Sequence, residues 1–90
     1  MAADLDEKTG RYGRLLAEAL SVAEPASGRE EEAAECLEMA RSYLEDGGHF
    51  REAGDPVNAL AAFSYGHGWL DAGARLGVLD VPTGSELFTN

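Results

Sequence analysis

The 90-residue chain has one cysteine, one lysine and one tryptophan, and it contains no long apolar run. Without about 18 consecutive apolar residues, it has no sequence able to span a membrane. Cys36 has no second cysteine with which to form a disulfide bond, and the N-terminus lacks the basic start and apolar core of a secretory signal. We therefore expect a cytoplasmic protein with a single small hydrophobic core.

Basic residues are also scarce. Seventeen aspartates and glutamates stand against six arginines and Lys8, which gives a formal net charge of -10. Because such a surface repels phosphate groups and the arginines are scattered, we expect no nucleic-acid partner. The same composition is typical of a halophile's cytoplasm, where molar salt screens the repulsion between carboxylates.

The motifs of common catalytic and cofactor sites are absent as well. The chain has no phosphate-binding loop, nucleophile elbow, paired cysteine motif or HExxH sequence. We therefore predict that it is not an enzyme and that it has no catalytic, metal-binding or cofactor-binding residues. Cys36 falls on an apolar helix face, so we interpret it as a buried core residue.

What the sequence does contain is helical periodicity in three segments. A weak first helix ends before Pro25. A second begins at Ser27, whose spacing to Glu30 is that of a capping box. Its core face is Cys36, Leu37, Ala40, Tyr43, Leu44, Gly47 and Phe50. Gly54 then suits a helix C-terminus, and Asp55 and Pro56 suit the start of a third helix.

The third helix is expected to end at a glycine cap, Gly77, followed by apolar residues and Pro82. No alternating strand pattern of useful length is present. We therefore predict an all-α fold, an antiparallel three-helix bundle with a long helical hairpin. Residues 1–82 would form the single domain and residues 83–90 a flexible C-terminal tail.

The third helix is rich in glycine, and a helical wheel suggests why. A groove of small residues lies between two bulky ridges, so a neighbouring helix could approach closely. The groove residues are Ala59, Ala62, Gly66 and Gly73. Ser64, His67, Asp71 and Arg75 form a polar row that should meet water. Gly68 points towards that row, and close packing within the bundle does not explain it.

These faces lead to two hypotheses about function. The first is a module for self-association or protein binding, with aromatic anchors and polar contacts on the third helix. Its candidate surface is Tyr65, His67, Trp69, Asp71, Arg75 and Leu76. The alternative is a small-molecule or metal-binding bundle that uses the row of His67, Asp71 and Arg75, with His49 or Cys36 as further metal ligands.

One resemblance bears on the fold. With Gly-Asp-Pro at residues 54–56 and AAFSYGHGWLDAGARLGVLDVP at residues 61–82, the chain resembles the archaeal proteins of domain of unknown function 357. Residues 27–82 carry this resemblance, and residues 69–77 are its most specific part. It implies a compact helical fold and a haloarchaeal cytoplasmic origin, but no activity. Gly47 and Gly48 depart from the expected pattern and mark a place where the second helix could kink or break.

Overall fold

The computed structural model describes residues 4–88, and within them three helices pack against one another. A short two-stranded sheet joins the ends of two helices. The elements are α1 (Leu5–Val22), β1 (Glu24–Pro25), α2 (Glu30–Glu52), α3 (Pro56–Arg75) and β2 (Leu79–Asp80). The predicted all-helical class is therefore confirmed, and the two strands were not predicted.

Helix α1 begins at a side-chain cap and is tied to the start of α3. The Asp4 carboxylate accepts the backbone N–H of Asp6 at 3.0 Å, which satisfies a donor in the first turn. Thr9 is fully buried, and its hydroxyl donates to the Leu5 carbonyl at 2.7 Å. The Pro56 carbonyl oxygen lies 3.3 Å from the same hydroxyl. This contact positions the N-terminal turn of α3 beside α1.

The predicted start of α2 was wrong in detail. The N-cap is Arg29, which makes no side-chain capping bond, and Ser27 lies in the preceding turn. Glu30 does reach back along the chain, but its carboxylate accepts the N–H of Gly28 at 3.1 Å. Gly28 has a φ of +83°, so the turn places the cap two residues later than the serine.

The hairpin between α2 and α3 matches its prediction. Gly54 has a φ of +77°, the left-handed conformation that follows many helices. The Asp55 carboxylate accepts the N–H of Asn58 at 3.1 Å, and Pro56 is the first residue of α3. Helix α2 also runs through Gly47 and Gly48 without interruption, so the helix does not break there.

Helix α3 ends in the predicted glycine cap. Gly77 has a φ of +76°, its N–H donates to Ala74, and the N–H of Val78 donates to Gly73 at 2.8 Å. These two bonds form a Schellman motif. The chain then reverses so that Leu79 pairs with Pro25 in the antiparallel sheet. No periodic signal could reveal a sheet of two residues per strand.

The hydrophobic core lies between the three helices and extends to the end of the described chain. Its largest fully buried apolar side chains are Leu16 and Leu70. Phe88, only 5% exposed, also belongs to the core. This packing differs from the flexible tail expected for residues 83–90, of which residues 89 and 90 lie outside the described residues.

Candidate functional site

Helix α3 presents one face to the core, and that face is lined by small residues. The four residues predicted to form a groove are all buried, and we call them the buried strip: Ala59, Ala62, Gly66 and Gly73. A methyl group at Gly66 would lie 2.8 Å from Leu16 Cδ2, and one at Gly73 would lie 2.7 Å from Leu79 Cδ1. Carbon atoms normally pack at about 3.5–4.0 Å. The glycines therefore make room for neighbouring side chains.

The flank of α3 beside the buried strip, with its C-cap residue Leu76, carries three large exposed apolar side chains. Tyr65 is 66% exposed, Trp69 39% and Leu76 71%, and we call these three residues the outer ridge. Tyr65 also stacks on Tyr43 of α2, with ring centroids 5.7 Å apart and an interplanar angle of 27°. Exposed aromatic side chains of this kind are frequent anchors of protein interfaces.

A second row of small residues runs beside the outer ridge, and the sequence analysis recognised only Ser64 in it, as an exposed member of the polar row. This exposed strip consists of Ala61, Ser64, Gly68 and Ala72. Together with Tyr65 and Trp69, three of its members line a shallow groove of about 370 Å³. A Cβ at Gly68 would have no heavy atom of residues 4–88 within 4 Å, apart from its two chain neighbours and the adjoining helix backbone. Ser64, Gly68 and Ala72 recur every four residues, and this spacing is the sequence signal that could have revealed the row.

The centre of this face is uncharged, although the carboxylates of Asp71 and Glu86 border it in a cleft that Ser64 and Gly68 also line. Every exposed residue of α3 between Val57 and Ala72 is uncharged, and the charged residues of α3 are Asp71 and Arg75. Helix α2, by contrast, contains two arginines and eight acidic residues. Those acidic residues are Glu30, Glu31, Glu32, Glu35, Glu38, Glu45, Asp46 and Glu52. An uncharged exposed face is therefore a local property in a strongly acidic protein.

His67 does not face open water as predicted. It is half-buried, and its Nε2 hydrogen-bonds to the backbone carbonyl of Leu87. Since a carbonyl oxygen can only accept, the imidazole Nε2–H is the donor. The ring also lies 6.3 Å from the Phe88 ring, measured between centroids. His67 therefore fastens the C-terminal segment, residues 83–88, onto α3.

The remaining members of the predicted polar row lie at the edge of the exposed face. Asp71 is half-buried and Arg75 is exposed. His67 and Asp71 share a cleft of about 320 Å³ with Tyr12 of α1 and Glu86 of the C-terminal segment. The structure thus separates this pair from the outer ridge, with which the sequence analysis grouped them. Ligand binding by the polar row stays a prediction.

The other metal ligands suggested by the sequence are not gathered at this cleft. Burial raises the pKa of the half-buried Cys36 thiol, and the charge of Glu35 raises this pKa further. His49 is exposed near the end of α2. Among residues 4–88, no three histidine, cysteine, aspartate or glutamate side chains are grouped so that they could hold a metal ion.

The region from α1 to β2 carries the family signature. The family model "Protein of unknown function (DUF357)" matches residues 11–79, which is most of the chain. The chain belongs to the DUF357 family. The match to DUF357 starts within α1, earlier than the resemblance drawn from residues 27–82, and it includes both faces of α3. The C-terminal segment fastened by His67 lies beyond it.

No curated protein and no solved structure matches the chain. None of the helices in the described part of the chain has the length and apolar character needed to cross a membrane.

Proposed function

We propose that this DUF357 protein is a protein interaction module whose exposed α3 face receives a helix from another protein molecule. A single observation carries the proposal. The exposed strip and the outer ridge form an uncharged, partly aromatic groove on the surface of an acidic protein. Binding without catalysis is also consistent with a sequence that has no recognised catalytic motif.

The groove has the two properties that a helix-docking surface needs. Small residues let the backbone of another helix approach closely, and bulky side chains beside them fill the space along its flank. Burial of Tyr65, Trp69 and Leu76 would remove apolar area from water, which contributes roughly 25 cal/mol for each Å². The exposed residues between Val57 and Ala72 carry no charge, so a helix docked over the centre of the groove need not bury an exposed ion there, and the half-buried Asp71 lies at its side.

Three finer features belong to the same proposal. The tight turn at Gly54 and Asp55 supports an antiparallel course for α2 and α3. The net charge of -10 supports a salt-rich archaeal cytoplasm, because dissolved ions would screen the acidic surface of α2. High salt also favours docking through apolar groups over docking through ion pairs.

Site-specific photo-cross-linking in the native cells tests the proposal. A photoreactive amino acid replaces Ser64 in the exposed strip, and in the control it replaces Ser42, an equally polar exposed residue of α2. We expect protein adducts from position 64 and few from position 42. Equal yields at both positions, or no adduct at position 64, would contradict a docking role for this face.

A further inference from the structure

We infer that the cleft between α1 and α2 is a binding site for a small molecule that carries one carboxylate on an apolar body. The cleft shares no lining residue with the groove on the exposed α3 face or with the row of His67, Asp71 and Arg75, so the inference does not depend on the proposed function. Three features support it: the size of the cleft, its apolar floor and the two guanidinium groups on its walls.

The cleft exists because α1 and α2 each pack more extensively on α3 than on each other. Its volume is about 540 Å³, larger than the groove on α3 and the cleft at His67. Small-molecule sites usually have volumes of about 300–1,000 Å³. Gly10 and Gly13 line the α1 wall and Gly48 lines the α2 wall, and none of them has a side chain to fill the space. The cleft therefore has room for a molecule the size of an aromatic amino acid.

The floor of the cleft is apolar. Phe63 of α3 inserts its ring between α1 and α2, where a Cβ at Gly13 would lie 3.0 Å from the ring and a Cβ at Gly47 would collide with it. Leu44 of α2 and Ala17 of α1 continue the apolar lining. A ligand that covers this floor removes apolar surface from water, which favours binding of a molecule with an apolar body.

Arg51 reaches across the cleft from α2 to α1. Its Nη2 lies 3.6 Å from Oδ1 of Asp6, and a Cβ at Gly10 would lie 3.0 Å from the same nitrogen. The guanidinium group therefore packs against the α1 backbone, where a larger residue than glycine would push it aside. Because 3.6 Å is longer than a hydrogen bond, the N–H donors of Arg51 have no hydrogen-bond acceptor within residues 4–88.

Arg14 brings a second guanidinium group to the same cleft from the α1 wall. Within residues 4–88 it makes no ion pair or hydrogen bond. Two of the six arginines of the chain thus line one cleft with an apolar floor. Arginine binds a carboxylate through two parallel N–H···O bonds, so a ligand carboxylate would find donors on both walls.

The other charges of the cleft decide which anion fits best. Asp6 and Glu52 also line it, so two carboxylates accompany the two guanidinium groups and their formal charges cancel. A phosphate monoester or a dicarboxylate would bring more than one negative charge to these carboxylates, in a chain whose net charge is already -10. A single carboxylate adds the least repulsion and still uses the guanidinium donors.

NMR titrations of the purified full chain test the inference, with indole-3-acetate as the probe and the neutral indole-3-acetamide as its comparison. We expect indole-3-acetate to shift the backbone amide signals of Gly10, Gly13 and Gly48 in a saturable manner. Indole-3-acetamide should bind at least fivefold more weakly, because it offers the guanidinium groups no charged acceptor. Inorganic phosphate at matched ionic strength should not displace indole-3-acetate.

Two arginine variants locate the carboxylate. Arg14→Gln should raise the dissociation constant of indole-3-acetate at least fivefold and leave that of indole-3-acetamide within twofold, which shows that the cleft is still formed. Arg41 of α2 is the control, since it is exposed as Arg14 is and lies outside the cleft. Arg41→Gln should change neither dissociation constant by more than twofold.

Four results would overturn the inference. The absence of saturable shifts at the three glycines, or equal affinity for the acid and its amide, would mean that the cleft does not select a carboxylate. Equal losses in Arg14→Gln and Arg41→Gln would mean that the overall charge of the chain attracts the probe. Displacement by inorganic phosphate would assign the site to a more highly charged anion. Photo-cross-linking at position 64 is independent of all four results.

Discussion

The buried and exposed faces of α3 are built from the same parts but have different surroundings. Each has a row of small residues beside large apolar side chains. On the buried face, Leu16, Tyr43 and Leu79 crowd against Gly66 and Gly73. On the exposed face, Gly68 meets open space within residues 4–88. The comparison shows that small residues at helical spacing accommodate neighbouring side chains on one face of α3, while the same pattern on the other face is left uncovered within the described chain.

The largest expected difference between the two faces concerns their aromatic residues. Phe63, which is 4% exposed, packs in the core, so Phe63→Ala should lower the free energy of unfolding by about 3–5 kcal/mol. Trp69→Ala, measured on dilute monomer, should lower it by less than about 1 kcal/mol. Urea unfolding followed by circular dichroism measures both. A similar loss of unfolding free energy in the two variants would mean that Trp69 packs in the core, as Phe63 does.

A control for Trp69 is available on α2. Phe50 was predicted to lie on the core face of α2, but it is 38% exposed at the end of that helix, nearly the same as Trp69. Phe50→Ala should leave the yield of photo-adducts from position 64 unchanged, whereas Trp69→Ala should lower it. Equal effects would mean that exposed aromatic area, rather than its position on α3, drives binding.

The second prediction concerns Gly66 and Gly68, two residues apart on one helix. Gly66→Ala forces a methyl group against Leu16 and Tyr43, so we expect a loss of about 1–3 kcal/mol in the free energy of unfolding. Gly68→Ala should instead stabilise the monomer by about 1 kcal/mol, through helix propensity alone. Thermal unfolding of dilute samples measures both signs. If both substitutions change the free energy of unfolding in the same direction, the two faces do not differ as expected.

A smaller effect is expected at the edge of the exposed face. His67→Ala removes the donor to the Leu87 carbonyl, so the C-terminal segment should lose about 0.5–1.5 kcal/mol of stabilisation. Amide hydrogen exchange of residues 85–88 should become faster, while exchange in the centre of α3 stays slow. Unchanged protection of these residues would show that Phe88 alone holds the segment.

The smallest effect for any one residue should come from charge on α2. Glu38→Gln removes one of its exposed carboxylates and should stabilise the protein by no more than about 0.5 kcal/mol. The gain should vanish in molar potassium chloride, where screening already suppresses repulsion between carboxylates. Thermal unfolding at low and high salt measures this. A gain that persists in high salt would indicate a cause other than charge repulsion.

Local signals in the sequence predicted the helices well, whereas contacts between distant residues were largely missed. The turn at Gly54, Asp55 and Pro56 was predictable because each residue type has a specific conformational preference at a helix end. The cap at Ser27 was wrong because the left-handed Gly28 delays the start of α2. The two-residue strands could not be predicted, since their pairing depends on residues more than fifty positions apart.

The candidate site was predicted only in part. Helical spacing placed Tyr65, Trp69 and Leu76 on one ridge, and the structure exposes all three. It also grouped them with His67, but the hydrogen bond from His67 to Leu87 joins residues twenty positions apart, and helical spacing carries no information about such a bond. The sequence analysis placed Gly68 beside the polar row. A helical wheel gives the direction in which a residue faces, but it does not show which other parts of the molecule lie there.

The sequence by itself determined the number of helices, their ends near glycine, proline and aspartate, the acidic character of the chain and the small-residue spacing of α3. These properties depend on local conformational preference and on charge, which neighbouring residues decide. Only the tertiary structure showed that a second row of small residues, Ser64, Gly68 and Ala72, stays uncovered beside the predicted groove. Both faces of α3 have the period of a helix, and the packing of α1 and α2 buries one and leaves the other open.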